Sequence, residues 1–427
     1  MNDTQRVEPA DHLRGSIRVP GDKSTSHRAL ILSALASGKS VISGLSQGHD
    51  VKATRTIITQ LGAQVNDDDG DVIVIGPEEG LRGANEALDC ENSGTSMRLL
   101  CGVLAHVTGQ HHLVGDASLS KRPMDRVATP LGLMGATVHG QGERCTPPLT
   151  LEGSSSLQGV DFSVSHASAQ VKSAILLAGL HAQGETIVRE SVRTRTATED
   201  MLVMSGVDVQ STNVGAGRVV TIRPGRPQRR HWRVPGDPSQ AAFFAVLASI
   251  HHDAALEVLS LEVSAERVGF VSVLQRMGAR VELIERSGVT ALRSESSMLH
   301  ATEVHAHEIP SVDEVPVLSV AAAAANGVSV FRAMGELRLK ESDRFEGSLL
   351  LVRALGAKAW SEGDDLFVEG LGSAQRFEDF TFDAALDHRM VMSAAVAGCA
   401  GRGATILGAE TVASSYPTFF RDLTLLQ

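Results

Sequence analysis

The chain has 427 residues, of which 42% are hydrophobic and 21% charged, and its net charge is −11. That length is too great for one ordinary core and predicts about two or three domains. The acidic balance and the 4% share of aromatic residues argue against a general nucleic-acid or membrane-surface binder and against base-stacking platforms.

In chain order, the first strong signal is VPGDKSTSHRALILSAL, from Val19 to Leu35. A strand end and a Pro20-Gly21-Asp22 turn lead into an apolar helix, with Ser24 or Thr25 as the predicted cap. Lys23 and Arg28 crowd onto a helix end that is already partly positive, which suits a phosphate or carboxylate resting there. A solvated helix start with its cations in water would read the same way. NSGTSMRLL at Asn92 follows, where Gly94 lets a ligand approach backbone N–H groups, although SGT is also an ordinary cap. LSKRPMDRV clusters Lys121, Arg122 and Arg126 on a loop. HASAQVKSAILLAGL at His166 opens a third apolar helix with Ser168, Gln170 and Lys172 at its start. These three helix starts describe a pocket for a phosphorylated or carboxylated small molecule.

RPGRPQRRHWR, from Arg223 to Arg233, is a basic turn-rich stretch that reads as a solvated loop or as a steering patch for anions. Further on, Asp313 and Glu314 stand at the entrance of a very apolar helix. ELRLKESDR gathers Arg338, Lys340, Glu341, Asp343 and Arg344, a density that a solvated helix face would explain nearly as well. Asp387, His388 and Arg389 precede another apolar helix. No P-loop, GxGxxG or Ser–His–Asp pattern occurs. Cys90, Cys101, Cys145 and Cys399 form no CxxC and read as reduced structural thiols, and no metal-ligand spacing is present. The N-terminus is unlike a targeting segment and no apolar run approaches the ~18 residues of a membrane span, so a cytoplasmic protein is expected.

Two markers repeat along this order. A turn leading into an apolar strand occurs at Gly38, Gly109, Gly184, Asp253, Gly327 and Gly403, spaced by 71, 75, 69, 74 and 76. A helix-ending glycine before alternating residues occurs at Gly62, Gly135, Gly206, Gly278 and Gly356, spaced by 73, 71, 72 and 78. Six α/β units of about 71 residues fill the chain, each reading strand–helix–strand–helix–two strands. VPGD at Val19 is echoed by VPGD at Val234, which divides the six into two halves and predicts two compact domains with a cleft between them.

The ordered set PGDKSTSHR, NSGTSMR, SKRPMDR, SAQVKSA, DEVP, LKESDR and DHRM closely resembles the 5-enolpyruvylshikimate-3-phosphate synthase family, essentially from end to end. The resemblance implies the two-domain α/β enolpyruvyl transferase fold, with six βαβαββ units, three per domain, around an inter-domain cleft. It places residues 21–234 in one domain and 1–20 plus 235–427 in the other, with ligands closing the domains about Pro20 and Pro235. It implies a cytoplasmic monomer that needs no cofactor or metal and binds neither nucleic acid nor membrane. The implied reaction joins shikimate 3-phosphate to phosphoenolpyruvate with loss of phosphate, through a tetrahedral adduct.

By the same resemblance, shikimate 3-phosphate is expected at Lys23, Ser24, Arg28, Ser168, Ala169, Gln170, Asp313 and Lys340. Phosphoenolpyruvate is expected at Lys23, Gly94, Arg122, Gln170, Arg344 and Arg389. The implied catalytic residues are Lys23, Asp313 as base, Glu341 as candidate proton donor to the methylene carbon, and His388. Space beside Gly94 predicts that glyphosate competes with phosphoenolpyruvate. The sequence departs from the family pattern at Glu336, at Ser414 where a Lys is common, at Ala169 where a Ser is common, and in RTATED, which leaves open the roles of Ser191, Thr194 and Arg195. A UDP-N-acetylglucosamine enolpyruvyl transferase is the nearest rival, but Asp116 stands where that family carries a reactive Cys. A non-catalytic anion-binding scaffold is disfavoured because Lys23, Asp313 and Glu341 are all present.

Overall fold

The computed structural model describes residues 4–427 apart from 166, 265, 287, 311, 373 and 374. His166, which opens one of the sequence motifs, therefore lies outside the described residues. The chain forms two compact units, Gly21–Val234 and Met1–Pro20 with Pro235–Gln427.

Each unit places three sheets around three buried helices. In the 21–234 unit these helices are Lys23–Leu35, Gly94–Leu104 and Ala169–Gly179. Apolar residues on all their faces drive them into the interior, as expected of a helix without a polar stripe. Leu30, Leu100 and Leu176, one on each, are completely shielded from solvent. Gly102 lies against the Ala174 carbonyl oxygen, so close that a β-carbon there would collide with backbone, and the two helices pack directly. The other unit repeats the arrangement with Pro238–Ile250, Val315–Ala324 and His388–Ala400, which all touch one another.

Both glycine markers have a structural cause. The turn residues at 38, 109, 184, 253, 327 and 403 each lie at or just before a strand. Gly62, Gly135, Gly206, Gly278 and Gly356 each follow a helix with φ between 81° and 105°, a left-handed conformation that ends the helix and that L side chains avoid. The acidic tip Asp67–Asp71 is a hairpin turn, with Asp68 facing Asp71.

Among the described residues, five sheets have four strands and one has three. In a regular repeat, a short strand such as Asp161–Val164 runs parallel to Thr186–Glu190, which an antiparallel hairpin follows. Two repeats exchange their first strands. Leu13–Ile17 precedes helix Lys23–Leu35 in sequence but pairs in parallel with Ala254–Val258. His231–Arg233 precedes helix Pro238–Ile250 but pairs in parallel with Val41–Ser43. Among the described residues the last repeat has no hairpin of its own, and Thr4–Val7 runs antiparallel to Ala404–Leu407 to complete its three-stranded sheet. The sixth unit therefore departs from the expected βαβαββ order, and both N-terminal strands belong to the unit formed by residues 235–427.

One local expectation is corrected. The helix begins at Lys23, and Asp22, not Ser24 or Thr25, is its cap, accepting from the Thr25 N–H at 2.7 Å. A carboxylate two residues before Ser24 satisfies the first N–H groups of the helix and adds a favourable charge at its end. Part of the basic stretch is spent on structure, while Arg229, Arg230 and Arg233 are exposed. Arg223 pairs with Glu185 and Asp208, each at 2.7 Å. Arg226 donates to the Leu35 carbonyl at 3.0 Å, capping the C-terminal end of the helix that starts at Lys23. Thirteen residues of helix put that end about 20 Å from Lys23.

Candidate active site

In the 21–234 unit, the N-terminal ends of the three inner helices carry several clusters of hydrogen-bonded polar side chains. Lys23 is half-buried and its Nζ lies 2.9 Å from Asp50 Oδ2. Arg28, buried, donates to Thr198 Oγ1 at 2.5 Å, to Ser173 Oγ at 2.8 Å and to the Ser24 carbonyl at 2.9 Å. Arg195 reaches Ser24 Oγ at 3.4 Å. His27, between Lys23 and Arg28 in sequence, is fully buried and bonded to Thr54 at 2.8 Å. Burial and then the two cations push its pKa well below 6.5, so it stays neutral and structural.

Ser93 and Ser168 cap the second and third helices. Gln170 bridges them, accepting from Arg98 Nη1 at 2.6 Å and donating to Thr95 Oγ1 at 2.8 Å. Arg122 donates to Asn92 Oδ1 at 2.8 Å, and Asn92 donates to Asp116 at 2.6 Å. Asp116 thus serves as a structural acceptor at the position where the rival family has its Cys. Gly94 sits beneath two guanidiniums. A β-carbon there would lie 2.9 Å from Arg98 Nη1 and 3.0 Å from Arg122 Nη1. Ser168, Ala169 and Gln170 are half-buried at the start of their helix. Of the other predicted cations, Lys121 is exposed, Arg126 lines a separate depression with Thr129 and Arg144, and Lys172 is buried between two glutamates. Lys172 therefore does not dress the helix start as its sequence position suggested.

The other unit assembles the acid–base residues around a buried arginine. Only 1% of the Arg344 side chain is exposed, and it lies 2.8 Å from Asp387, 3.0 Å from Asp313 and 2.6 Å from Glu341. Burial alone would weaken its charge, but Asp387, Glu341 and Asp313 more than offset that and raise its pKa. Asp387 is the cap of helix His388–Ala400, accepting from the Arg389 N–H at 2.9 Å. Burial pushes Asp387 up, yet the charges of Arg344 and His388 win and hold it below the ordinary 3.8. Arg389 donates to the Asp313 carbonyl at 3.2 Å, and its guanidinium is 3.7 Å from the Asp313 carboxylate. Lys340 sits 2.9 Å from Glu336 and 3.8 Å from Asp313. The charge-dense ELRLKESDR segment is therefore not a solvated helix face. It begins in a short 3-10 turn, Gly335–Leu339, and ends at the start of helix Arg344–Ala354, capped by Asp343. Ser414 ends a short turn, Ala409–Ser414, packed on helix His388–Ala400.

Sequence reasoning missed Asp50, Ser173 and Thr198 as partners of Lys23 and Arg28. Ser173 and Thr198 lie within quoted motifs, whereas Asp50 opens a different helix, His49–Gln60, with no signal linking it to Lys23. Among the described residues, no three His, Cys, Asp or Glu side chains are grouped so as to hold a metal ion. Likewise no helix of the described residues is long and apolar enough to cross a membrane.

Similarity to known proteins covers the whole of this arrangement. Relatives named 3-phosphoshikimate 1-carboxyvinyltransferase include that of Streptococcus uberis, 39% identical over 98% of both chains. That of Geobacter metallireducens is 40% identical over 97% of both. A solved structure of EPSP synthase from Acinetobacter baumannii superposes with a TM-score of 0.86 at 36% identity, covering 99% of this chain and 98% of that one. The profile of one family, EPSP synthase (3-phosphoshikimate 1-carboxyvinyltransferase), matches residues 7–423, and the chain belongs to that family.

Proposed function

We propose that this chain transfers the enolpyruvyl group of phosphoenolpyruvate to the 5-hydroxyl of shikimate 3-phosphate, releasing phosphate, on the shikimate route to chorismate and the aromatic amino acids. The observation that carries this reading is the pair Asp313 and Glu341, both in contact with the buried Arg344, in a chain matched by the family profile over residues 7–423.

Shikimate 3-phosphate is assigned to Lys23, Ser24, Arg28, Ser168, Ala169 and Gln170, with Asp313 and Lys340. Phosphoenolpyruvate is assigned to Lys23, Gly94, Arg122, Gln170, Arg344 and Arg389. Both substrates are polyanions, so fixed cations must offset their repulsion, and guanidiniums already oriented by hydrogen bonds do so with little reorganisation. Asp313, in contact with Arg344, Arg389 and Lys340, takes the proton of the 5-hydroxyl. The oxygen then bonds to C2 of phosphoenolpyruvate while Glu341 delivers a proton to the methylene carbon, which gives the tetrahedral adduct. Loss of a proton from the new methyl group and departure of phosphate restore the double bond. His388 assists the proton transfers beside Arg389.

The protein acts as a cytoplasmic monomer without cofactor, and glyphosate competes with phosphoenolpyruvate. The test is phosphate release on mixing protein with both substrates. It requires both, and Asp313→Ala lowers kcat by about 10²–10⁴-fold, the usual worth of a positioned base. No release from the unaltered protein would overturn the reading.

A further inference from the structure

The stretch from Ser191 to Glu199, whose part the sequence left open, is held by a buried ionic clamp that the reaction itself does not use. Lys172 is completely buried on helix Ala169–Gly179, with its Nζ 2.9 Å from Glu190 Oε2 and 2.6 Å from Glu199 Oε1. Glu190 ends strand Thr186–Glu190 and Glu199 lies in helix Ala197–Met204, so one ammonium ties three elements together. Thr194 Oγ1 makes a short bond to Glu190, and the Thr194 carbonyl accepts from Arg218 at 3.1 Å. Burial raises the pKa of Glu199, and Lys172 only partly counters it.

The residues next in sequence to the clamp make the seat of Arg28. Ser173 follows Lys172 and Thr198 precedes Glu199. Their hydroxyls are 2.6 Å apart, and both accept from Arg28. Arg195, carried by the clamped stretch, reaches Ser24. Buried ion pairs add little net stability because desolvation costs so much, but removing one partner is costly, so the arrangement tolerates few alternatives. We propose that Lys172, Glu190 and Glu199 are positioning residues for shikimate 3-phosphate, fixing the Ser173–Thr198 seat that aims Arg28 and the turn that presents Arg195. This rests on the reading that Arg28 and Ser24 take that substrate.

Glu199→Ala removes one arm of the clamp and leaves Lys172 paired with Glu190. It is expected to raise KM for shikimate 3-phosphate roughly 10-fold, as a misplaced contact group does, with kcat and KM for phosphoenolpyruvate changed by less than about 2-fold. Glu199→Gln keeps an acceptor for Lys172 and is expected to return KM to within about 3-fold of the original. Unchanged kinetics in Glu199→Ala, or equal losses on both substrates, would overturn the proposal. Should Glu199→Ala not fold, Thr198→Val removes the seat directly, and it must show the same split for the proposal to stand. If the unaltered protein does not bind shikimate 3-phosphate in calorimetry, it is the functional reading that fails. Amide hydrogen exchange over residues 191–199 then still tests the clamp, which requires faster exchange in Glu199→Ala than in Glu199→Gln. Equal rates would sink it.

Discussion

The two units solve opposite electrostatic problems with the same scaffold of three helix N-termini. In the 21–234 unit, Arg28, Arg98 and Arg122 are oriented by hydroxyls, carbonyls and side-chain amides. In the other unit, Arg344 sits among Asp387, Asp313 and Glu341. A hydroxyl or amide aims a guanidinium without cancelling its charge, whereas a carboxylate aims it and neutralises it. The first arrangement therefore suits holding anions, and the second suits fixing carboxylates in place beside one buried cation. The helix caps show the same division of labour. Two of the three caps in the first unit are the neutral Ser93 and Ser168, while the second unit uses Asp237 and Asp387.

If this contrast holds, the largest effect on stability comes from breaking the carboxylate-rich cluster. Asp387→Ala takes from the buried Arg344 one of its three carboxylate partners and also removes the cap of helix His388–Ala400, which together cost about 3–5 kcal/mol, measured by urea unfolding at neutral pH. The pH dependence has a definite sign. Asp387 titrates below its ordinary 3.8 in the folded protein. Its contribution is therefore fully present above that value and is lost as the pH falls through the lower folded value. The gap in unfolding midpoint between Asp387→Ala and the unaltered protein should narrow in acid below pH 3.8 and stay constant above it. A gap that stays open in acid would assign the loss to packing instead.

A smaller effect is expected in the cation-rich cluster. Gly94→Ala brings a methyl group to within 2.9–3.0 Å of the ends of Arg98 and Arg122, which are side-chain tips that can shift. It should raise KM for phosphoenolpyruvate several-fold, within about 10-fold, and leave stability nearly unchanged. A loss of stability with KM intact would mean that the glycine serves helix packing rather than the anion. The smallest effect is assigned to Glu336, whose side chain is 54% exposed at 2.9 Å from Lys340. Exposed pairs contribute little, so Glu336→Gln should alter stability by less than about 1 kcal/mol. It should also lower KM for shikimate 3-phosphate by about 2-fold, because the Lys340 charge is then less compensated.

Much of this was legible in the sequence for local reasons. A helix that must end in a left-handed residue asks for glycine, so the repeat appears as regularly spaced glycines at 62, 135, 206, 278 and 356. Helices buried on every face must be apolar throughout, which is why their polar openings stand out as motifs. Strand exchange was hidden because pairing is decided between distant segments. Nothing in LRGSI reveals that its partner is Ala254–Val258. Lys172 was misread for a related reason. At a helix start full of polar residues it looks like one more pocket cation, and only the fold brings Glu190 and Glu199 against it. The cap of the first helix was missed by two or three residues, since Asp22, Ser24 and Thr25 are all competent caps.

The exchanged strands bear on how the chain can mature as it is synthesised. The 21–234 unit contains all of its own strands, the last being His231–Arg233, so its three sheets can close once about 234 residues have left the ribosome. The second unit must wait for Ala404–Leu407 before Thr4–Val7 can pair, so an early strand is among the last to be placed. Contacts so distant in sequence form slowly. A fragment of residues 235–427 is expected to stay incompletely folded by circular dichroism, and a separate peptide of residues 4–20 should restore it. The N-terminal segment is in this sense the closing stitch of the molecule.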